Sequence, residues 1–278
     1  MANRLYLRSI DLVSDAAEIN FIKNQKRTVY NTIYPFKIFP DKELRTVEFE
    51  PVTIFYGGNG CGKTTLLKSL CGLLPISGGQ VLLDGEDVLQ LPQRLLARKI
   101  AYLAQSRQVP DITVQRLVLH GRFPYLDFPR VYRKEDYACA KAAMEQMGIA
   151  DLADCPLEQL SGGQRQKVYI AMALAQDTQV ILLDEPTTFL DISHQLQLME
   201  QARLLAKQGK TVVMILHDLP HAFQTADKLV LMDSGAIAAE GTPEELYAGG
   251  MVNRIFRVKL GRVRSDAGWR YFCETAMP

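Results

Sequence analysis

The sequence lacks the long apolar runs that cross a membrane. Runs such as Val180–Leu183 and Val212–Leu216 are far shorter than the roughly 18 residues that a bilayer requires. It also lacks the apolar core of a signal peptide, because charged residues are spread through its first fifteen positions, MANRLYLRSIDLVSD. We therefore expect a protein that neither spans a membrane nor is secreted by that route.

An excess of charge of one sign is also missing, since 32 Lys and Arg face 31 Asp and Glu and the net charge is +1. This balance argues against a protein that holds nucleic acid by bulk charge. The five cysteines are odd in number and include no C-x-x-C pair. Both features argue against a disulfide framework or a zinc ribbon, and favour a reducing cytosol.

Buried strands alternate with helical segments along most of the chain, and this order predicts an α/β fold with a largely parallel sheet. A strand is predicted at Val52–Tyr56, followed by a helix over Thr64–Leu74. The stretch from about 107 to 160 contains no convincing strand and is predicted to be a helical subdomain. The segment before Val52 combines prolines with alternating residues, which indicates short strands joined by a turn.

A phosphate-binding loop is predicted between this first strand and helix, where the sequence reads GGNGCGKT and matches G-x-x-x-x-G-K-[ST]. Glycines let successive backbone N–H groups curl around phosphate oxygens, and the helix start adds partial positive charge. A lysine can neutralise phosphate charge, and the adjacent threonine hydroxyl can bind Mg²⁺. The predicted nucleotide-binding residues here are Gly57, Gly58, Asn59, Gly60, Cys61, Gly62, Lys63, Thr64 and Thr65.

Two carboxylates follow a second buried strand, Val180–Leu183, at the end where parallel sheets bind their ligands. Asp184 is a candidate for holding Mg²⁺ through its water shell, and Glu185 for polarising the attacking water. Adjacent acids alone are often a solvated turn. Together with a phosphate-binding loop, they predict a nucleotide hydrolase.

A second candidate phosphate cradle is the sequence LSGGQ, because Ser161, Gly162, Gly163 and Gln164 stand at a predicted helix start. Simple helix capping would use the same residues. One nucleotide does not need both cradles from one chain, whereas two chains arranged head to tail would use both. The sequence therefore predicts a dimer that binds nucleotide between its subunits.

GGNGCGKT, LSGGQ and ILLDE together resemble the ATP-binding cassette (ABC) ATPases, from about Gly57 to about Gly250. The resemblance implies that ATP and Mg²⁺ are bound and that Gln105 contacts both Mg²⁺ and the attacking water. It also implies that His217 contacts the γ-phosphate, that Leu190-Asp191 forms the D-loop of this family, and that Asp191 is one of the nucleotide-binding residues.

A finer resemblance comes from DEPTTFLDISHQ at 184–195 and from the residues around Gly121-Arg122. Both are similar to the ATPases of binding-protein-dependent importers for iron-siderophore complexes, haem and cobalamin. This implies an energy-coupling subunit attached to the cytoplasmic face of the inner membrane. Its partners would be membrane permease subunits, a second copy of itself and, indirectly, an external substrate-binding protein, with no nucleic acid.

The first 51 residues depart from the family pattern, and the segment from Val29 to Tyr56 looks more like the front of stand-alone chromosomal or defence-type ABC ATPases. A soluble ATPase in DNA maintenance or defence is therefore the alternative function. The aromatic residue that stacks on adenine is placed at Tyr34, with Tyr30 as the alternative. We expect an ABC domain over 1–250, with the helical subdomain at about 107–160, and a C-terminal appendix over 251–278.

An aromatic cluster inside the predicted helical subdomain comprises Phe123, Tyr125 and Phe128. Exposed apolar residues grouped in this way usually mark a partner surface. The alternative is that they form the small subdomain's own core. This alternative applies more to Phe123 than to Tyr125 and Phe128. We expect this region to dock a membrane subunit.

Overall fold

The computed structural model describes residues 7–11, 46–76, 79–105, 109–266 and 268–275. The strands are β1 (Leu7–Asp11), β2 (Thr46–Glu48), β3 (Val52–Gly57), β4 (Gln80–Leu83), β5 (Glu86–Asp87), β6 (Ile100–Leu103), β7 (Val180–Asp184), β8 (Thr211–Leu216), β9 (Lys228–Asp233), β10 (Ala236–Gly241), β11 (Val258–Ser265) and β12 (Gly268–Thr275). The α-helices are α1 (Lys63–Leu70), α2 (Gln93–Lys99), α3 (Val114–His120), α4 (Lys134–Gln146), α5 (Gly162–Ala175), α6 (Ile192–Lys207), α7 (Leu219–Thr225), α8 (Pro243–Ala248) and α9 (Met251–Phe256).

The chain divides into two compact units, which are described separately. The first comprises Met1–Gln90 and Val213–Pro278, and the second comprises Leu91–Val212. The boundary falls inside β8, whose six residues are all buried. In the described part of the chain, no helix is both long and apolar enough to cross a bilayer.

The first unit contains three sets of paired strands. β3 pairs in parallel with β9, which pairs antiparallel with β10 on its other side. β1 lies between β2 and β4 in an antiparallel sheet that β5 completes. β11 and β12 form an antiparallel hairpin. β3 is a strand because its apolar, partly β-branched residues are nearly all buried.

The second unit contains a parallel pair of buried strands and most of the long helices. β6 pairs with β7 from Ile100 opposite Val180 to Leu103 opposite Leu183. Every residue of β7 is buried, as expected for a strand of a parallel sheet that is covered on both faces. Between residues 109 and 160 the described chain forms helices and turns, without a strand. The predicted α/β fold with an antiparallel β part is thus confirmed.

One local prediction needs correction, and one region that the sequence left open now has a structure. The helix expected over Thr64–Leu74 ends at Leu70, because Gly72 adopts a left-handed conformation with φ 66°. The backbone N–H of Leu73 then bonds back to the Lys68 carbonyl at 2.8 Å, which closes the helix end. The C-terminal region, which the sequence left unassigned, forms α9 and the hairpin of β11 and β12.

Candidate functional site

The loop between β3 and α1 has the backbone geometry of a phosphate cradle. Gly60 and Gly62 have φ values of 77° and 92°, which disfavour any residue with a side chain. A Cβ at Gly57 would come within 2.3 Å of the Met232 carbonyl oxygen, so only glycine fits there. At Gly58 and Gly60, by contrast, an added Cβ would meet no atom within 4 Å, which leaves open space over the loop.

Lys63 is placed inside this loop and is buried. Its ammonium group donates hydrogen bonds to the carbonyl oxygens of Gly57 and Gly58, both at 2.8 Å, and contacts Cys61 Sγ at 3.6 Å. Lys63 is also the first residue of α1, whose N-cap Gly62 supplies no side-chain cap. A fixed cation, an uncapped helix start and open space together suit a bound phosphate chain. This is the fit that ATP requires.

In the second unit, the structure brings Gln105 and Glu185 together. Gln105 Nε2 donates a short hydrogen bond to Glu185 Oε2. The neighbouring Asp184 is buried, and the hydroxyl of Tyr102 donates to its Oδ2 at 3.2 Å. Glu185 adopts φ 49°, an uncommon value for a residue with a side chain. Three of the predicted catalytic and metal-binding residues thus lie at one end of the β6–β7 pair.

The LSGGQ sequence forms a reciprocal helix cap at the start of α5. The N–H of Gln164 donates to Ser161 Oγ at 3.2 Å, and the N–H of Ser161 donates to Gln164 Oε1 at 3.0 Å. Both residues are exposed despite these bonds. The capping alternative raised by the sequence is therefore correct as local structure, and it leaves this helix start accessible to a ligand or partner.

Asp191 caps α6, since its Oδ1 accepts hydrogen bonds from the His194 N–H at 2.9 Å and the Ser193 hydroxyl at 3.0 Å. These bonds, led by that from His194, hold the pKa of Asp191 below its usual value. The preceding Phe189 is 79% exposed, and it lies beside the position that a Cβ on Gly162 would occupy. Asp191 and the Ser161 cap both lie in the second unit, and both are exposed.

His217 follows β8 directly and is exposed. The next residue, Asp218, caps α7 by accepting the N–H of His221 at 2.7 Å. His217 therefore sits between a buried strand and a capped helix, as the sequence predicted, in the unit that contains Lys63. Tyr34 and Tyr30, the candidates for stacking on adenine, lie outside the described residues.

The aromatic cluster expected to dock a membrane subunit is only partly exposed. Phe128 is 98% exposed and Phe123 is 45% exposed. The hydroxyl of Tyr125 instead donates to the Gln176 carbonyl at 3.0 Å, and the Arg122 guanidinium lies 4.0 Å from its ring centroid. Tyr125 is thus half-buried, with its hydroxyl bonded inside the unit, and it offers less surface to a partner than Phe128 does.

Two residues near the site were not singled out from the sequence. Tyr102 donates to Asp184, as described above, and the buried Gln166 donates from Nε2 to the Pro186 carbonyl at 2.8 Å. Gln166 lies on α5, five residues after Ser161. Its hydrogen bond to Pro186 holds the turn that follows Glu185. The strand alternation around Tyr102 was a usable signal, whereas nothing in the sequence pairs Gln166 with Pro186.

A glycine cradle with a buried lysine, and acids at the end of a buried parallel strand, define a P-loop nucleoside triphosphatase. A family profile described as ABC transporter matches residues 45–188, just over half of the 278 residues. The chain belongs to the ABC transporter ATP-binding family.

Similar proteins agree with this assignment. The chain is 43% identical over 225 residues to the "Probable siderophore transport system ATP-binding protein YusV" of Bacillus subtilis (strain 168), covering 80% of this chain and 82% of the relative. It is 44% identical over 209 residues to the ferric enterobactin transport ATP-binding protein FepC of Escherichia coli (strain K12), covering 74% and 77%. Its fold matches a solved metal-chelate type ABC transporter with a TM-score of 0.76 at 23% identity, covering 97% of this chain and 96% of the other.

Proposed function

We propose that this protein hydrolyses ATP to drive the import of an iron-siderophore complex or a related metal chelate. It would act as the energy-coupling subunit of a binding-protein-dependent ABC importer. The observation that carries the ATPase part is the contact of Gln105 with Glu185 beside the buried Asp184. The transport part is supported by relatives whose names assign them to siderophore and ferric enterobactin transport.

Each predicted residue has a chemical role in this proposal. Lys63 neutralises charge on the β- and γ-phosphates, and Glu185 polarises the attacking water while Gln105 orients it. His217 contacts the γ-phosphate. The backbone of the glycine loop holds the remaining phosphate oxygens through its N–H groups.

Mg²⁺ fits the oxygen-donor chemistry of the residues assigned to it. Thr64 and Gln105 would contact the ion, and Asp184 would hold it through its water shell. Within the described ranges, no cluster of three or more His, Cys, Asp or Glu side chains is arranged as a metal site. Mg²⁺ needs no such cluster, because it is usually shared between one or two carboxylates, waters and the phosphates of a nucleotide. When bound, the ion would supply charge that offsets the negative phosphates.

A second copy of the chain is proposed to complete each nucleotide site. The Ser161 cap and Asp191 are both exposed. A helix start also suits an anionic ligand, so a phosphate of the partner's nucleotide could bind there. In the dimer, Ser161 of one copy would contact the nucleotide held by Lys63 of the other. ATP binding would therefore favour association of the two copies.

The other proposed partners are the permease subunits at the cytoplasmic face of the inner membrane, with an external binding protein acting through them. Phe128 is the best candidate for the permease contact, because it is almost fully exposed and Phe123 is half exposed nearby in the chain. We expect Phe128→Ser to keep the ATPase of the isolated subunit and to weaken its co-purification with the permease. If assembly and uptake were unchanged, the docking surface would lie elsewhere.

Glu185→Gln tests the proposed function directly, because it keeps the size of the side chain and removes the carboxylate. We expect the variant to bind ATP normally and to lose turnover by at least about 100-fold, the lower range for a general base. Cells that rely on it should fail to take up the iron-loaded siderophore. Glu200→Gln, at an exposed position of α6, is the matched control and should behave as wild type. Hydrolysis by Glu185→Gln at the wild-type rate would remove Glu185 from the mechanism.

A further inference from the structure

The described residues after Gly250 belong to the first unit. They comprise α9 and the hairpin of β11 and β12, which we name the C-terminal brace (251–266 and 268–275). In the hairpin, residues that stand opposite each other share a face. Arg262 pairs with Tyr271 on one face, and Gly261 pairs with Phe272 on the other. The two faces have different surroundings.

The face that carries Tyr271 packs against the unit. The Tyr271 ring lies 5.1 Å from the Phe223 ring and 5.9 Å from the Tyr247 ring, measured between centroids. Phe223 is buried and belongs to α7. The opposite face carries Phe272, which is 41% exposed. Tyr271 therefore connects the brace to α7, whereas Phe272 does not take part in this packing.

α7 is the helix that follows His217. It has only seven residues, and its N-cap is Asp218, the residue next to His217. A helix this short has little stability of its own and depends on tertiary packing. Contacts that hold α7 therefore also fix the backbone from which the His217 side chain extends.

The brace makes a second contact beside the phosphate-binding loop. Phe256, at the end of α9, packs edge-on against Tyr56 with ring centroids 5.1 Å apart. Tyr56 immediately precedes Gly57, the first residue of the loop. Burial raises the pKa of the Tyr56 hydroxyl, and the ionisable groups of Cys273 and Asp218 raise it further. α7, which follows His217, contacts both β12 of the hairpin and β3, the strand before the loop.

We propose that the C-terminal brace positions His217 for ATP hydrolysis, with Tyr271 acting as a positioning residue through Phe223 and α7. The proposal rests on the proposed ATPase function. A catalytic group must be held within a fraction of an ångström of its working position, and small displacements can reduce rates strongly. The brace then affects turnover more than nucleotide binding, since Lys63 and its carbonyl partners are held within the loop itself.

The experiment compares ATP hydrolysis and binding of a fluorescent ATP analogue for the full chain and three variants. Tyr271→Ala removes the ring, Tyr271→Phe retains it, and Phe272→Ala removes a ring from the outer face as a matched control. We expect Tyr271→Ala to lower kcat about tenfold, with the Kd for the analogue changed less than about twofold. Tyr271→Phe and Phe272→Ala should both retain the wild-type kcat.

Thermal unfolding identifies variants that fail to fold, and assays are run well below each midpoint. If Tyr271→Ala does not fold, Tyr271→Leu replaces it, because leucine keeps apolar volume and loses the aromatic contact. A folded Tyr271→Ala or Tyr271→Leu protein with wild-type kcat would overturn the proposal, and so would an equal loss in Phe272→Ala. Absence of hydrolysis by the wild-type chain would instead contradict the proposed function.

Discussion

The ion pair of Arg122 and Asp136 stabilises the second unit from inside, and its loss has a calculable effect. The two side chains are 11% and 7% exposed, and Arg122 Nε donates to Asp136 Oδ1 at 3.1 Å. Arg122 Nη1 also donates to the Ala175 carbonyl at 3.0 Å, and its guanidinium covers the Tyr125 ring. The second carboxylate oxygen of Asp136 accepts the Arg133 N–H at 2.9 Å. The pair therefore links α4 with the end of α5.

Arg122→Met keeps most of the side-chain volume and leaves the Asp136 carboxylate buried without its cation. Breaking a buried pair in this way typically costs about 3–5 kcal/mol. With a denaturant dependence of about 2 kcal/mol per molar urea, the midpoint should fall by about 1.5–2.5 M. Far-UV circular dichroism is the suitable signal, because the single tryptophan, Trp269, lies in the other unit.

Lys141→Met is the matched control, since it removes a cation from an exposed ion pair with Glu145 on α4. Exposed pairs of this spacing contribute about 0.5 kcal/mol or less, so its midpoint should hardly move. The double variant Arg122→Met/Asp136→Leu removes both charges and should recover part of the lost stability. Equal midpoints for Arg122→Met and Lys141→Met would refute the assignment of this pair to the stability of the unit.

Three further predictions concern the nucleotide sites and the thiols. Lys63→Ala should weaken ATP binding by at least about tenfold, because a charged hydrogen bond contributes about 1.5–3 kcal/mol, and calorimetric titration measures this. Ser161→Arg should abolish the ATP-dependent dimer of the Glu185→Gln protein without weakening ATP binding to the monomer, as light scattering would show. Burial raises the pKa of the Cys71 thiol to about 11, so its thiolate is scarce at pH 8. Burial also raises the pKa of the Cys273 thiol, but Cys273 is exposed whereas Cys71 is buried. Iodoacetamide should therefore alkylate Cys273 before Cys71, and mass spectrometry of the peptides would detect the reverse order.

The parts of the fold that were predictable from the sequence are those with a strong local cause. β3 and β7 are largely apolar runs that end at glycines or acids, and both appear where the pattern indicates. The end of α1 was misplaced because leucines continue at helical spacing to Leu74, whereas the conformation of Gly72 stops the helix earlier. A hydrophobic pattern records which residues can be buried, and it does not record where the backbone leaves the helix.

The brace was harder to predict, since its strands contain many charged residues and carry no continuous apolar run. Arg262 illustrates the reason, because it forms an ion pair with Glu244 while its guanidinium lies 4.3 Å from the Tyr247 ring centroid and 4.2 Å from that of Trp269. Such a side chain is polar in the sequence and covers aromatic surface in the fold. Its partners lie on a helix and a second strand, so no short window of sequence contains the interaction.

The loop after β7 shows why motif recognition gives the identity of a candidate catalytic residue without its geometry. Glu185 has φ 49° and Phe189 has φ 68°, although neither is glycine. Such conformations cost of order 1–3 kcal/mol each and persist only where surrounding contacts fix them. Here the Thr188 N–H bonds to the Glu185 carbonyl at 3.2 Å, and Gln166 holds the Pro186 carbonyl. These contacts favour one backbone path, and that path directs the Glu185 carboxylate toward Gln105. Gln166 belongs to the helix that begins at LSGGQ, so the helix whose start we propose to contact a partner's nucleotide also holds the loop of the proposed catalytic glutamate in its own chain.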